Sequence, residues 1–143
     1  MFEVTGESVL VLYGSHVTGT PASTLMVLSA TTLSAAAQGA LEKSATSLEF
    51  GNAPLVLVVA EADEGKLGAE DVRTIVEGLD PVALVAADAL SAELLSAAYR
   101  MPIALDASNR LLGRTAVIFE DFEGMMDTPE GKQRAWALLK KLR

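Results

Sequence analysis

Cysteine is absent from all 143 residues, which excludes disulfides, thiol nucleophiles and thiolate metal sites. Histidine occurs once, at His16, so one chain cannot build a histidine cluster for zinc or a two-histidine mechanism. Aromatic residues make up 5% of the chain, which leaves few rings to sandwich a flavin. Long apolar runs are missing too. The stretch 55–60 is only six residues long, against the roughly 18 to 20 that a membrane-crossing helix requires. No membrane partner is expected. The first residues, Met1-Phe-Glu-Val-Thr-Gly-Glu, carry neither a basic segment nor a long apolar core, so no secretory leader is predicted and a cytoplasmic location is expected. Positive charge is also in deficit. At a net charge of −8 a nucleic-acid partner is disfavoured, because phosphate contacts need clustered Lys and Arg.

Half of the residues are hydrophobic and the mean hydropathy is +0.34. A chain of 15.0 kDa with that composition predicts one domain spanning 1–143, long enough to bury most of its apolar surface. Four short runs rich in Val and Leu, at 8–13, 55–60, 82–87 and 115–119, lack polar alternation. Strands buried on both faces of a parallel sheet have this pattern. Segments with helical period separate them: a long one over 21–48 that Gly39 could divide, then 69–79, then a helix after Asp88, then one after Thr128. Strand–helix alternation predicts a three-layer α/β/α domain with a mostly parallel four-stranded sheet.

The caps are specific. Thr20 with Pro21, Asp88, and Thr128 with Pro129 read as helix starts. Gly78 with Pro81, and Met101-Pro102, read as stops. The expected inward stripes are Leu25, Leu28 and Leu33; Val72, Ile75, Val76 and Leu79; Leu90, Leu94, Leu95 and Ala98; and Ala135, Leu138, Leu139 and Leu142. The stretch 103–114 is read as a short strand with a turn at Asn109.

Two runs carry a family resemblance. The first is Ala69-Glu-Asp-Val-Arg-Thr-Ile-Val-Glu-Gly-Leu-Asp-Pro-Val-Ala-Leu-Val-Ala-Ala-Asp-Ala-Leu-Ser-Ala-Glu-Leu-Leu, a helix, then Leu-x-Pro leading a strand, then a small-residue turn into a helix. The second is Val117-Ile-Phe-Glu-Asp-Phe-Glu followed by Pro129-Glu-Gly-Lys-Gln-Arg-Ala-Trp, a strand, a loop and a Trp-bearing helix. Over about half the chain this order resembles the uracil-DNA glycosylase superfamily. The resemblance implies the fold without the chemistry. The family's catalytic histidine falls at or near Glu120, the following Pro-Ser becomes Asp121-Phe122, and Glu123 and Asp127 add negative charge where DNA would approach. The chain is also similar in size and layout to the psi-subunit family of bacterial DNA polymerase III, whose domain is an adaptor for other proteins. These likenesses imply a non-catalytic binding or protein-interaction module of degenerate glycosylase-like type, with no catalytic residues, metal or cofactor.

Two local constellations supply candidate sites. Gly14, Ser15, His16, Thr18, Gly19 and Thr20 form a glycine- and hydroxyl-bearing loop placed between an expected strand and an expected helix. Such a loop can hold phosphate through backbone N–H groups and the helix dipole, and it is similar to a flavodoxin phosphate loop. Its plainer reading is a tight strand-to-helix turn capped by Thr20. A small phosphate-ligand or flavin-type binding domain is therefore the alternative function. The second constellation lies in the last helix. Lys132, Arg134, Lys140, Lys141 and Arg143 hold five of the eleven positive charges there. Cations suit a helix C-terminus, but together with Trp136 the set Lys132, Lys140 and Lys141 also reads as a partner surface, with another protein as partner. Trp136 itself is expected in the seam between helix and sheet. The acids Glu61, Asp63 and Glu64, past a strand end, and Glu120 to Asp127 are read as solvated loops.

Overall fold

The computed structural model describes residues 16–19, 23–51, 53–59 and 67–142. Their architecture is mixed α/β: six strands in one sheet and five α-helices. The strands are β1 (Val17–Thr18), β2 (Leu25–Ser29), β3 (Leu55–Val58), β4 (Ala83–Ala86), β5 (Ala107–Leu111) and β6 (Arg114–Ile118). The helices are α1 (Ala35–Ser47), α2 (Ala69–Leu79), α3 (Ala89–Tyr99), α4 (Phe122–Met125) and α5 (Pro129–Leu139), with a final 3₁₀ turn over Lys140–Leu142.

Sheet order is β1-β3-β2-β4-β6-β5. The inner strands β3, β2, β4 and β6 run parallel, and β1 and β5 close the edges antiparallel. Val56, Val27, Val85 and Val117 stand side by side across the four parallel strands. The expected count of four strands is thus replaced by six. The strand expected at 8–13 lies outside the described residues.

Every residue of β2 is buried, as befits a strand paired on both sides and covered on both faces. Successive side chains leave the sheet in opposite directions and feed two separate apolar clusters. Met26, Leu28, Leu55, Leu57, Leu84 and Ile118 pack with α2 and α3. Leu25, Val27, Val56, Val85, Val117 and Phe119 pack with α1, α4 and α5.

The structure corrects the helix expected over 21–48. Its first part, Leu25–Ser29, is the central strand β2, and the helix begins only at Ala35 behind Ser34, whose side chain accepts from the Ala37 N–H. A short unalternated leucine-rich run suits either state, and pairing with two neighbouring strands decides it. Gly39 does not divide α1. The α2 boundaries agree with the expectation, and Asp80 closes the helix in the left-handed conformation with φ 51°. Asp88 caps α3, but the buried face is rotated. Ser91, Ala92, Leu95, Ala98 and Tyr99 are buried, whereas Leu90 is exposed. Asn109 lies within β5 rather than in a turn. The hairpin turns at Leu112-Gly113, with φ of 47° and 89°, the signs a two-residue hairpin loop requires. Thr128 caps α5 with Pro129 at its first position, as its sequence predicts. The acidic stretch before it contains the short helix α4, capped by Asp121.

Candidate functional site

Open α/β sheets usually take ligands beyond the carboxyl ends of their strands, where the crossovers diverge. In this order the divergence falls between β2 and β4. Among the described residues that rim carries the chain's own carboxylates. Asp88 accepts from the Ala30 N–H at 2.8 Å and from the Ser91 N–H at 2.8 Å. Glu123 accepts from the Ser34 N–H at 3.0 Å, at the N-cap of α1. Asp121 accepts from Gly124 N–H, and Asp106 from Glu120 N–H. Backbone bonds from Ala89 to Glu120 and from Phe122 to Ala87 stitch β4 to the β6–α4 connection. An incoming anion would find the α1 N-terminus already supplied with a carboxylate. Among the described residues no group of three or more acids or histidines is placed to hold a metal ion, and no helix is long and apolar enough to cross a membrane.

The candidate loop is placed in part. Gly14, Ser15 and Thr20 lie outside the described residues, as do Glu61, Asp63 and Glu64. His16 is buried, and its Nδ1–H donates to the Val58 carbonyl at 3.0 Å. Thr18 is exposed on edge strand β1, opposite Val56. Gly19 has φ 105°, and a Cβ there would come within 2.7 Å of the Pro54 carbonyl oxygen. Among the described residues the first element beyond it is the strand β2, not a helix.

A groove of about 570 Å³ runs between α1 and α5. On the α1 side its wall is Ala35, Ala36, Gly39, Ala40, Lys43, Ser44 and Ser47, positions on one helical face whose side chains are all small except that of Lys43. On the α5 side it is Lys132, Ala135, Trp136 and Leu139, and Phe122 and Met126 form the floor. Phe122 is fully buried, its ring centre 5.0 Å from that of Phe119. A Cβ on Gly39 would touch nothing, because this face of α1 opens onto the groove.

Trp136 is 37% exposed, not enclosed in the seam. The buried stripe of this last segment is Ala135, Leu139 and Leu142, and one residue further along a helix turns the side chain by about 100°. The indole therefore stands on the groove wall. Lys140 Nζ lies 5.9 Å from the centre of its ring. Both ionisable side chains lining the groove, Lys43 and Lys132, are cations. Of the four residues expected at a partner surface, Trp136 and Lys132 line the groove, and Lys140 stands beside it through its contact with the Trp136 ring. Lys141 is exposed on the final turn and does not line it.

The α1 wall went unread in the sequence. Its signal is Ala36, Gly39, Ala40 and Lys43, small residues ending in a cation on one helical face. Assigning Leu25 and Leu28 to the same helix set that face wrongly. Compared with known proteins, the chain matches no family model and no curated sequence.

Proposed function

We propose that this protein is a non-catalytic, cytoplasmic interaction module that binds another protein through the α1–α5 groove. The observation that carries the reading is Trp136, a large aromatic left half-open over an apolar floor and flanked by cations, in a chain with a net charge of −8. Exposed aromatics over rigid apolar pockets are the usual anchors of protein interfaces. The carboxylate-bearing rim supports the non-catalytic half of the proposal, since it presents backbone donors already taken and acids where a nucleic acid would need cations. A three-layer α/β/α arrangement, with four parallel strands between antiparallel edges, is the framework we assign. It accords with the degenerate glycosylase-like likeness of residues 69–95, 117–123 and 129–136, and with the psi-type likeness in size and layout.

A photo-crosslinking residue in place of Ala36 or Ala40, installed in the cells of origin, should capture a protein, and Trp136→Ala should abolish the capture while leaving the fold intact. Crosslinks only from positions outside the groove would refute its use. Cleavage of uracil-containing single-stranded DNA by the pure protein would refute the absence of catalysis.

A further inference from the structure

The chemistry of the groove restricts what can occupy it. Both walls are helices, whose backbone groups beyond the first turn are spent on their own hydrogen bonds. Ser44, the polar side chain deepest in the wall, donates its hydroxyl to the Ala40 carbonyl. The groove therefore offers no row of free backbone donors or acceptors to an extended peptide, and a chain lying in it must satisfy its own backbone. An α-helix does so. The small residues Ala36, Gly39 and Ala40 let a helical ridge approach closely, and α1, thirteen residues long, gives a wall of about 20 Å, three to four turns.

Charge fixes the rest. Lys43 on one wall and Lys132 on the other are the ionisable groups of the lining, and Lys140 leans over Trp136. The adjacent acid of α1, Glu42, does not line the groove; it borders a shallow surface that shares Lys43 and Ser47 with it and adds Thr46. On a molecule otherwise rich in carboxylates, the groove is a cationic channel with an apolar bottom. We infer that its occupant is an acidic amphipathic helix of a partner protein, with apolar residues at one-turn spacing on Phe122, Met126 and Trp136, and carboxylates on both flanks meeting Lys43, Lys132 and Lys140. This rests on the groove being a protein-binding site and adds the shape and charge of what binds.

The test is a selection from a display library of helical peptides about fourteen residues long, with apolar residues fixed at one-turn spacing and flanking positions randomised. Wild-type protein should enrich Glu and Asp at the flanks. Lys43→Glu/Lys132→Glu, both at exposed positions, should enrich Lys and Arg instead. A selected acidic peptide should quench or shift Trp136 fluorescence, lose about tenfold or more in affinity with Trp136→Ala, and weaken several-fold as salt is raised. Flanks without charge preference, or peptides that bind equally well to the charge-reversed protein, would overturn the inference. So would selected binders that are extended rather than helical. Binding of phosphatidylglycerol vesicles or oleate with loss of peptide binding would assign the groove to a lipid. A dimer broken by Trp136→Ala would assign it to a second copy. Either result would overturn the partner helix. If crosslinking captures a basic or extended protein at the groove, the interaction-module reading survives and only this inference falls.

Discussion

A single carboxylate at position 88 joins three parts of the molecule. Asp88 follows β4, caps α3 through the Ser91 N–H and holds the Ala30 N–H at the end of β2. Each bond satisfies a backbone donor that has no partner in regular structure. Replacement with alanine removes a cap, worth about 1 kcal/mol, and leaves a second amide near the sheet rim unpaired, at about 1–3 kcal/mol. Asp88→Ala should therefore lower unfolding stability by about 2–4 kcal/mol, read as a fall in the urea midpoint. Asp88→Asn should lose less, because one oxygen still accepts while the amide NH₂ faces the other donor. Equal losses for the two variants would contradict a double-acceptor role. The Asp88 cap was legible in the sequence from its position before an apolar helical run; the second bond, to a residue 58 positions away, was not, because no local pattern encodes it.

At the scale of elements, the sequence was most readable where local chemistry and tertiary packing agree. In α2 a 3.6-residue stripe with hard stops reproduces the observed span, and α5 declares itself through Thr128-Pro129. Reading failed where packing overrules local preference. The run Leu25–Ser29 is a strand because β3 and β4 take up its backbone on both sides, and leucine and methionine alone would serve a helix as well. Trp136 was misplaced for a related reason: an aromatic in a helix is expected inside, yet the stripe that docks runs through Ala135, Leu139 and Leu142. A close approach of a different kind, of the first turn of α5 to the end of α4, depends on Gly131. It is buried, and a Cβ there would strike the Met125 carbonyl oxygen and the Thr128 hydroxyl oxygen that caps the helix. Alanine in a helix interior ordinarily gains up to about 1 kcal/mol over glycine. Here the collision is with backbone, which cannot swing aside, and overpacking of that kind costs about 1–3 kcal/mol. Gly131→Ala should thus lower the melting temperature, while Gly39→Ala, with open space around its Cβ, should raise it. The opposite signs check the assignment of one glycine to a close contact and the other to the groove.

Across the whole molecule, the two ends of the parallel strands are held by different chemistry. The carboxyl ends are stitched by Asp88, Asp121 and Glu123. At the amino ends Arg114, at the start of β6, donates Nε–H to the Pro81 carbonyl and pairs with Glu77 at 3.1 Å and Asp80 at 2.5 Å. Burial works to lower the guanidinium pKa, but the hydrogen bonds to Asp80 and Glu77 outweigh it and the net direction is upward, so Arg114 stays charged. Tyr99, at the end of α3, donates its hydroxyl to the same Glu77 carboxylate at 2.8 Å, and Arg73 lies 5.9 Å from its ring centre. Burial, with the hydrogen bond and negative charge of Glu77, pushes the phenol well above its ordinary value of 10. The folded state therefore holds this proton more tightly than the unfolded chain does. The associated stability is fully present below pH 10 and is lost as pH rises beyond it, with a slope of at most about 1.4 kcal/mol per pH unit for one proton. At neutral pH Tyr99→Phe should cost about 1 kcal/mol through the lost hydrogen bond, with Glu77 still paired to Arg114. Between about pH 10 and 11.5 the wild type should lose stability faster than the variant, so that their chemical-denaturation midpoints converge and then cross. Parallel midpoint curves through that range would mean that the Tyr99 hydroxyl titrates alike in the folded and unfolded chains, and that the Glu77 contact does not hold its proton.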